Sequence, residues 1–184
     1  MRASLDTNFP RHTLRLSNGV RVEVEPIGLS RWSSVRQRVL NVEHQSFPEQ
    51  IRDTEETLAG IAKSQSGVFL VCTSQWPSQF VGYACGDNLS RFISVPGVRE
   101  DFNRYGVKGF YLASVAVVPS WRHLGIGVEL QRLCISRAAA LGFTAAFAHL
   151  RSGTADKVSS VARTIRTYAD WYNTGEAFDY VKLY

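Results

Sequence analysis

Arg122-x-x-Gly125-x-Gly127 is the pattern in this chain best suited to chemistry, because it joins an apolar run, Phe110 to Val118, to a helix-forming stretch towards Ala140. Glycines without side chains let a backbone turn tightly and come close to a ligand. The unpaired N–H groups and positive end of the following helix favour an anion, so the spacing predicts a phosphate cradle. Other catalytic templates are missing: there is no Gly-x-Ser-x-Gly elbow, no His-Glu-x-x-His, no Gly-Lys-Ser/Thr after the turn and no cysteine pair at metal spacing. No metal site is expected.

The charge travels with this turn. Between Arg122 and Arg166 seven basic residues face two acids, a surplus of five that equals the whole net charge of +5. A phosphorylated ligand would need charge there, although Arg132 and Arg137 also fit a solvated helix face. The 184 residues, 45% hydrophobic, suit a single domain, 1–184, with a sizeable core. The first fifteen residues lack an apolar run, and Phe110 to Val118 is too short to span a bilayer. Cys72, Cys85 and Cys134 read as buried thiols in a reducing compartment, so a cytoplasmic location and no membrane partner are expected.

The elements that must position the turn follow from periodicity. Asn18-Gly19 between alternating segments predicts an N-terminal hairpin over about 13–25. Helices are expected over Ser30 to Gln45 and, with Asp53-Thr-Glu-Glu56 as a capping arrangement, on to about Lys63. Val68 to Thr73 and Phe80 to Cys85 read as antiparallel strands, and Gly86 to Lys108 as a long connection. The Phe110 strand is apolar on both faces and therefore central; a helix over Ile126 to Ala140, a strand over Phe143 to Leu150, a helix from Asp156 to about Trp171 and a closing strand from Ala177 complete the chain.

This order, with Val115-Ala-Val-Val-Pro-Ser-Trp-Arg-His-Leu-Gly-Ile-Gly-Val128, resembles the GNAT superfamily of acyl-CoA-dependent N-acetyltransferases, whose signature is Gln/Arg-x-x-Gly-x-Gly/Ala. The likeness spans about Val20 to the C-terminus, with its specific part, the coenzyme-binding core, at about 110–142. It implies a mixed α/β (α+β) fold: a mostly antiparallel sheet of about six or seven strands, flanked by helices, with a splayed central pair. It also implies acetyl-CoA as acyl donor. Val115, Ala116 and Val117 would pair through their backbone with the pantetheine arm, Val117 nearest the thioester. Arg122, His123, Leu124, Gly125, Ile126, Gly127 and Val128 would hold the pyrophosphate.

Catalytic roles are set by the same resemblance. An alkylamine with a pKa of about 10.4 attacks only as the free base, so a general base is needed, while a thiol of pKa about 8.5 leaves more easily. Glu43 lies in Glu-x-x-x-Phe-Pro, a stretch that amine-acetylating members place beside the acceptor, and is the first candidate for acceptor binding or proton removal; a solvated charge at a helix end is its plain alternative. His149, late in the strand beside the motif strand, is a proton-relay candidate or a satisfied core histidine. Tyr168, ahead of Tyr172, is the candidate acid for the leaving thiolate, and both also suit core packing. The chain departs from the usual pattern after the next strand: Arg151-Ser-Gly-Thr stands in place of Asn-x-x-Ala. The expected activity is acetyl transfer to a small primary amine by direct attack in a ternary complex. A protein amine, an aminoacyl-tRNA or a non-catalytic acyl-CoA-binding role are the alternatives, and a homodimer is left open.

Overall fold

The computed structural model describes residues 10–76, 78–154 and 162–184. Alternating Val22 and Val24 bury one face of β2 (Arg21–Pro26), which pairs with β1 (His12–Arg15) across a turn where Gly19 has φ 82°. The predicted hairpin is present. β3 (Val68–Ser74) and β4 (Gln79–Asn88) continue the antiparallel ladder, and both are buried along most of their length. β5 (Gly109–Val117), β6 (Ala145–Arg151), β7 (Ala162–Tyr168) and β8 (Phe178–Leu183) complete a sheet of order β1-β2-β3-β4-β5-β6-β8-β7. Among the described residues only β5 and β6 run parallel, so the mixed, mostly antiparallel class is borne out, with eight strands described where six or seven were expected.

The described residues form four α-helices: α1 (Leu29–Ser46), α2 (Glu55–Lys63), α3 (Val98–Tyr105) and α4 (Ile126–Ala140). One face of the sheet packs on α4 through Ile126, Leu130, Leu133, Cys134 and Ala138. The other packs on α1 and α2 through Trp32, Val35, Val39, Leu58 and Ile61. Cys72, Cys85 and Cys134 are buried free thiols, as expected. Among the described residues no helix is long and apolar enough to cross a membrane, and no group of His, Cys, Asp or Glu could hold a metal ion.

Three expectations need correction. The helix expected from Asp156 to Trp171 is not there from Ala162 onwards: that stretch is edge strand β7, and residues 155–161 lie outside the described residues. The outer backbone groups of β8 need partners, and Arg163-Thr164-Ile165-Arg166-Thr167, with three β-branched residues, supplies them with its side chains in solvent. The connection Gly86 to Lys108 is not a loop throughout. Its first three residues extend β4, and α3 follows Gly97 (φ 86°), with Glu100 and Asp101 in its first turn and Arg104 in its last matching the helix dipole. Finally, α2 is capped not by Asp53 but by Thr54, whose Oγ1 accepts from the Thr57 N–H at 3.2 Å.

The part of the sheet that matters for function is where β5 and β6 separate. They pair from Gly109 with Ala145 to Leu112 with Ala148, and no further. At that level the β4–β5 register slips by one residue: Cys85 faces Ser114 and Gly86 faces Leu112, which leaves Ala113 as an extra residue on β5. A bulge bends its strand, so β5 leans towards β4 while β6 stays with β8. A wedge-shaped opening results.

Candidate active site

The opening leads to two cavities. The first, about 390 Å³, lies on the α4 side and is lined by the upper half of β5 (Val115, Val117), the turn (Arg122, His123, Gly125), the start of α4 (Ile126, Gly127, Val128, Gln131) and the end of β6 (Ala148 to Arg151). His123 (φ 65°) and Gly125 (φ 81°) both adopt left-handed backbone, which coils the turn at the helix end. Gly125 is the N-cap and offers no side chain, and the first N–H to bond back is that of Glu129, to the Gly125 carbonyl at 3.1 Å. The N–H groups of Ile126, Gly127 and Val128 therefore have no intrahelical acceptor, an arrangement fitted to an anion. Above Leu112 the edge of β5 that faces β6 is unpaired, which leaves backbone groups for an extended ligand.

Of the residues predicted for this region, Ala116 and Leu124 do not line the cavity. Ala116 packs into the core under α1 and Leu124 against the core under α4, so each would contribute backbone only. Arg122 is tied down: Nε donates to the Val117 carbonyl at 3.0 Å, and Nη2 to Ser46 Oγ at 3.1 Å and the Gln45 carbonyl at 3.4 Å. It fastens the turn to the C-terminal end of α1, where helix carbonyls favour a cation.

The second cavity, about 230 Å³, opens on the α1 side. Phe47, Ala113, Ser114, His149 and Phe178 line both, so the two meet through the gap between β5 and β6. Its one acid among the described residues is Asp53, half-buried in the segment between α1 and α2. Burial, and then the neighbouring Glu43 charge, raise the Asp53 pKa to about 7. A carboxyl poised there exchanges a proton at neutral pH.

Glu43 is neither a solvated charge nor a lining group. It is 1% exposed, and neither cavity includes it. Its Oε1 accepts from the Asp53 N–H at 2.7 Å; its Oε2 accepts from the Tyr83 hydroxyl and, at 3.4 Å, from Ser114 Oγ. Burial pushes its pKa up and these donors pull it down, with burial the larger effect. The carboxyl fixes the backbone of Asp53 and ties it to β5.

His149 sits at the junction, stacked between Trp171 (4.1 Å) and Tyr180 (4.7 Å), with Nδ1 2.8 Å from the Tyr111 hydroxyl. Burial lowers its pKa to about 3, so the ring is neutral. The Pro96 carbonyl opposes that shift, yet no group meets Nε2 at hydrogen-bonding geometry. Tyr168 stands at the end of β7, not on a helix, and lines neither cavity. Its buried hydroxyl has no hydrogen-bond partner and lies 2.9 Å from where a Cβ on Gly97 would be. Tyr172, with left-handed backbone (φ 50°), lines the second cavity.

Sequence reasoning missed Asp53 and Gln131 as site residues. Nothing local marks Asp53, whose surroundings are made by Glu43 of α1 and the cavity walls of β5. Gln131 carried a signal: it interrupts the inward apolar face of α4 formed by Ile126, Leu130 and Cys134.

The model of the acetyltransferase (GNAT) family matches residues 36–158, more than half of the chain, and the chain belongs to that family of enzymes. No curated protein sequence matches it. Among solved structures, mosquito arylalkylamine N-acetyltransferase like 5b superposes with a TM-score of 0.69 at 13% identity, covering 88% of this chain and 99% of that one. The ribosomal-protein-S18-alanine N-acetyltransferase of Escherichia coli gives 0.62 at 13%, covering 88% and 92%. Arabidopsis thaliana NAA60 in complex with acetyl-CoA gives 0.62 at 12%, covering 88% and 97%. At such identities the likeness establishes the fold.

Proposed function

We propose that the protein transfers an acetyl group from acetyl-CoA to a primary amine by direct attack within a ternary complex. The observation that carries this reading is the meeting of the two cavities at Ala113 and Ser114, with anion-binding backbone on one side and a carboxyl of pKa about 7 on the other. Acetyl-CoA fits the first cavity: its diphosphate suits the open N–H groups of Ile126, Gly127 and Val128, and its pantetheine arm suits the unpaired edge of β5. This would put the thioester by Ala113 and Ser114, and Val117, expected nearest the thioester, beside the turn instead. A solved structure of this fold holds acetyl-CoA. The coenzyme supplies the thioester.

The chain supplies position and a proton acceptor. A bound ammonium beside Asp53 loses its proton to that carboxylate, and the free amine faces the gap between β5 and β6. Glu43 and Tyr83 hold the Asp53 backbone and β5 together, so base and gap move as one body. The neutral His149, held by Tyr111, walls the junction without competing for the proton. Among the described residues no tyrosine lines the first cavity, and Tyr168 lines neither; as the C–N bond forms and the C–S bond breaks, the departing thiolate, whose thiol has a pKa of about 8.5, takes up the proton that the attacking nitrogen loses.

Thiol release from acetyl-CoA, measured with a panel of primary amines and paired with mass analysis of the amine, tests the reading. Amine-dependent thiol with acetylated product is expected. Coenzyme binding without amine-dependent thiol would show a binding protein instead.

A further inference from the structure

The walls of the second cavity narrow the choice of acceptor. Resting on the reading of that cavity as the acceptor site, we propose that the acceptor is a primary amine joined by a short chain to a flat aromatic ring. Phe92, Tyr111, Trp171, Tyr172 and Phe178 all line it. Their positions are fixed by mutual contact: Phe92 lies 4.8 Å from Tyr111, and Trp171 lies 5.8 Å from Phe178 and 4.7 Å from Tyr172. Such rings offer stacking and edge contacts to another ring, and their faces attract a cation.

Charge points the same way. Among the described residues Asp53 is the one acid of the lining, and Arg52, its one base besides His149, spends its guanidinium on the Phe47 carbonyl at 2.7 Å and the His44 carbonyl at 3.3 Å. An extended polyamine would need carboxylates along its length. A peptide would need a way out, but the short turn Glu49–Ile51 packs against the turn Trp171–Asn173 beside the cavity. A cavity of roughly 150 Å³ holds benzene, so 230 Å³ suits one ring and a short tail. The ammonium lies by Asp53 and Ser114, and the ring by Trp171 and Phe92.

Initial rates with 2-phenylethylamine, n-butylamine, spermidine and an alanine-terminated peptide test the class. Burying the ring predicts kcat/KM about 100-fold higher for 2-phenylethylamine than for n-butylamine, and Tyr172→Ala, at a half-exposed position, is expected to raise the aromatic amine's KM severalfold. Equal or better turnover of butylamine, spermidine or peptide would overturn the class while leaving acetyl transfer intact. If no amine releases thiol, saturable quenching of tryptophan fluorescence by 2-phenylethylamine, weakened in Tyr172→Ala, supports the class and removes the transfer reading. Absence of both overturns the proposal.

A separate observation concerns the donor. Gln131 is 2% exposed, lines the first cavity, and its Nε2 has no hydrogen-bond partner. A buried amide without a partner is costly, so it is expected where a ligand completes it. Gln131 stands one turn beyond Gly127, about 6 Å along α4, while the first amide carbonyl of pantetheine lies several bonds from the diphosphate. We infer that Gln131 donates a hydrogen bond to a pantetheine amide carbonyl and so positions the arm. The near-isosteric Gln131→Met is expected to raise the apo melting temperature, weaken acetyl-CoA about tenfold and leave adenosine 3′,5′-bisphosphate, which lacks pantetheine, unchanged. Unchanged acetyl-CoA affinity, or equal losses for both ligands with a lower melting temperature, would overturn it.

Discussion

Replacing Asp53 with Asn removes the proton acceptor and keeps the side chain's shape. A general base contributes about 10²–10⁴-fold, so kcat should fall by that factor with acetyl-CoA affinity nearly unchanged. The pH profile is more telling. With a pKa of about 7, Asp53 makes wild-type kcat/KM rise through neutrality, an inflection shared with coupled Glu43, and the Asn variant should lose it. Stability gives a second sign. The folded pKa lies above the ordinary 3.8, so the folded state binds more protons between about pH 4 and 7, and wild-type stability falls as pH rises through that window. A rise from 3.8 to about 7 is worth of the order of 4 kcal/mol at most. The Asn variant stays neutral, so its melting temperature should overtake wild type above pH 7 and match it near pH 4. Thiol release across pH 5.5 to 9 and thermal melts at both ends measure this. A variant within about threefold of wild type that keeps the inflection would refute Asp53 as the base.

Other substitutions probe the frame. Gly125→Val places a β-branched residue at φ 81°, which costs about 1–2 kcal/mol and distorts the turn; calorimetry should show acetyl-CoA affinity reduced at least about tenfold. Arg122→Ala frees the turn from α1, and should raise the acetyl-CoA KM about tenfold and lower stability in denaturant by about 1 kcal/mol. Tyr168→Phe removes a buried hydroxyl that has no partner: the melting temperature should hold or rise and kcat stay within about threefold, whereas a general acid would cost about 100-fold or more.

What could be read from the sequence was local. Asn18-Gly19, the apolar Phe110 strand and Arg122-x-x-Gly125-x-Gly127 each carry their geometry in neighbouring residues, so hairpin, central strand and turn were all predictable. The burial of Glu43 was not, because its partners Tyr83 and Ser114 are 40 and 71 residues away. Asp53 looked like a helix cap from spacing alone, and Thr54 competed for that role one residue later. Arg163 to Thr167 carries no alternation, with Ala162, Ile165 and Tyr168 three apart as on a helix, and the edge of β8 that makes it a strand is visible only in the assembled sheet. The five aromatic wall residues come from four separate segments, which no spacing rule joins.

A crystal structure with acetyl-CoA bound tests the central claim most directly. The diphosphate should lie about 3 Å from the backbone nitrogens of Ile126 and Gly127, with the sulfur beside Ala113 and Ser114, open to the cavity that holds Asp53. A coenzyme seated elsewhere, or a sulfur closed off from that cavity, would contradict the account.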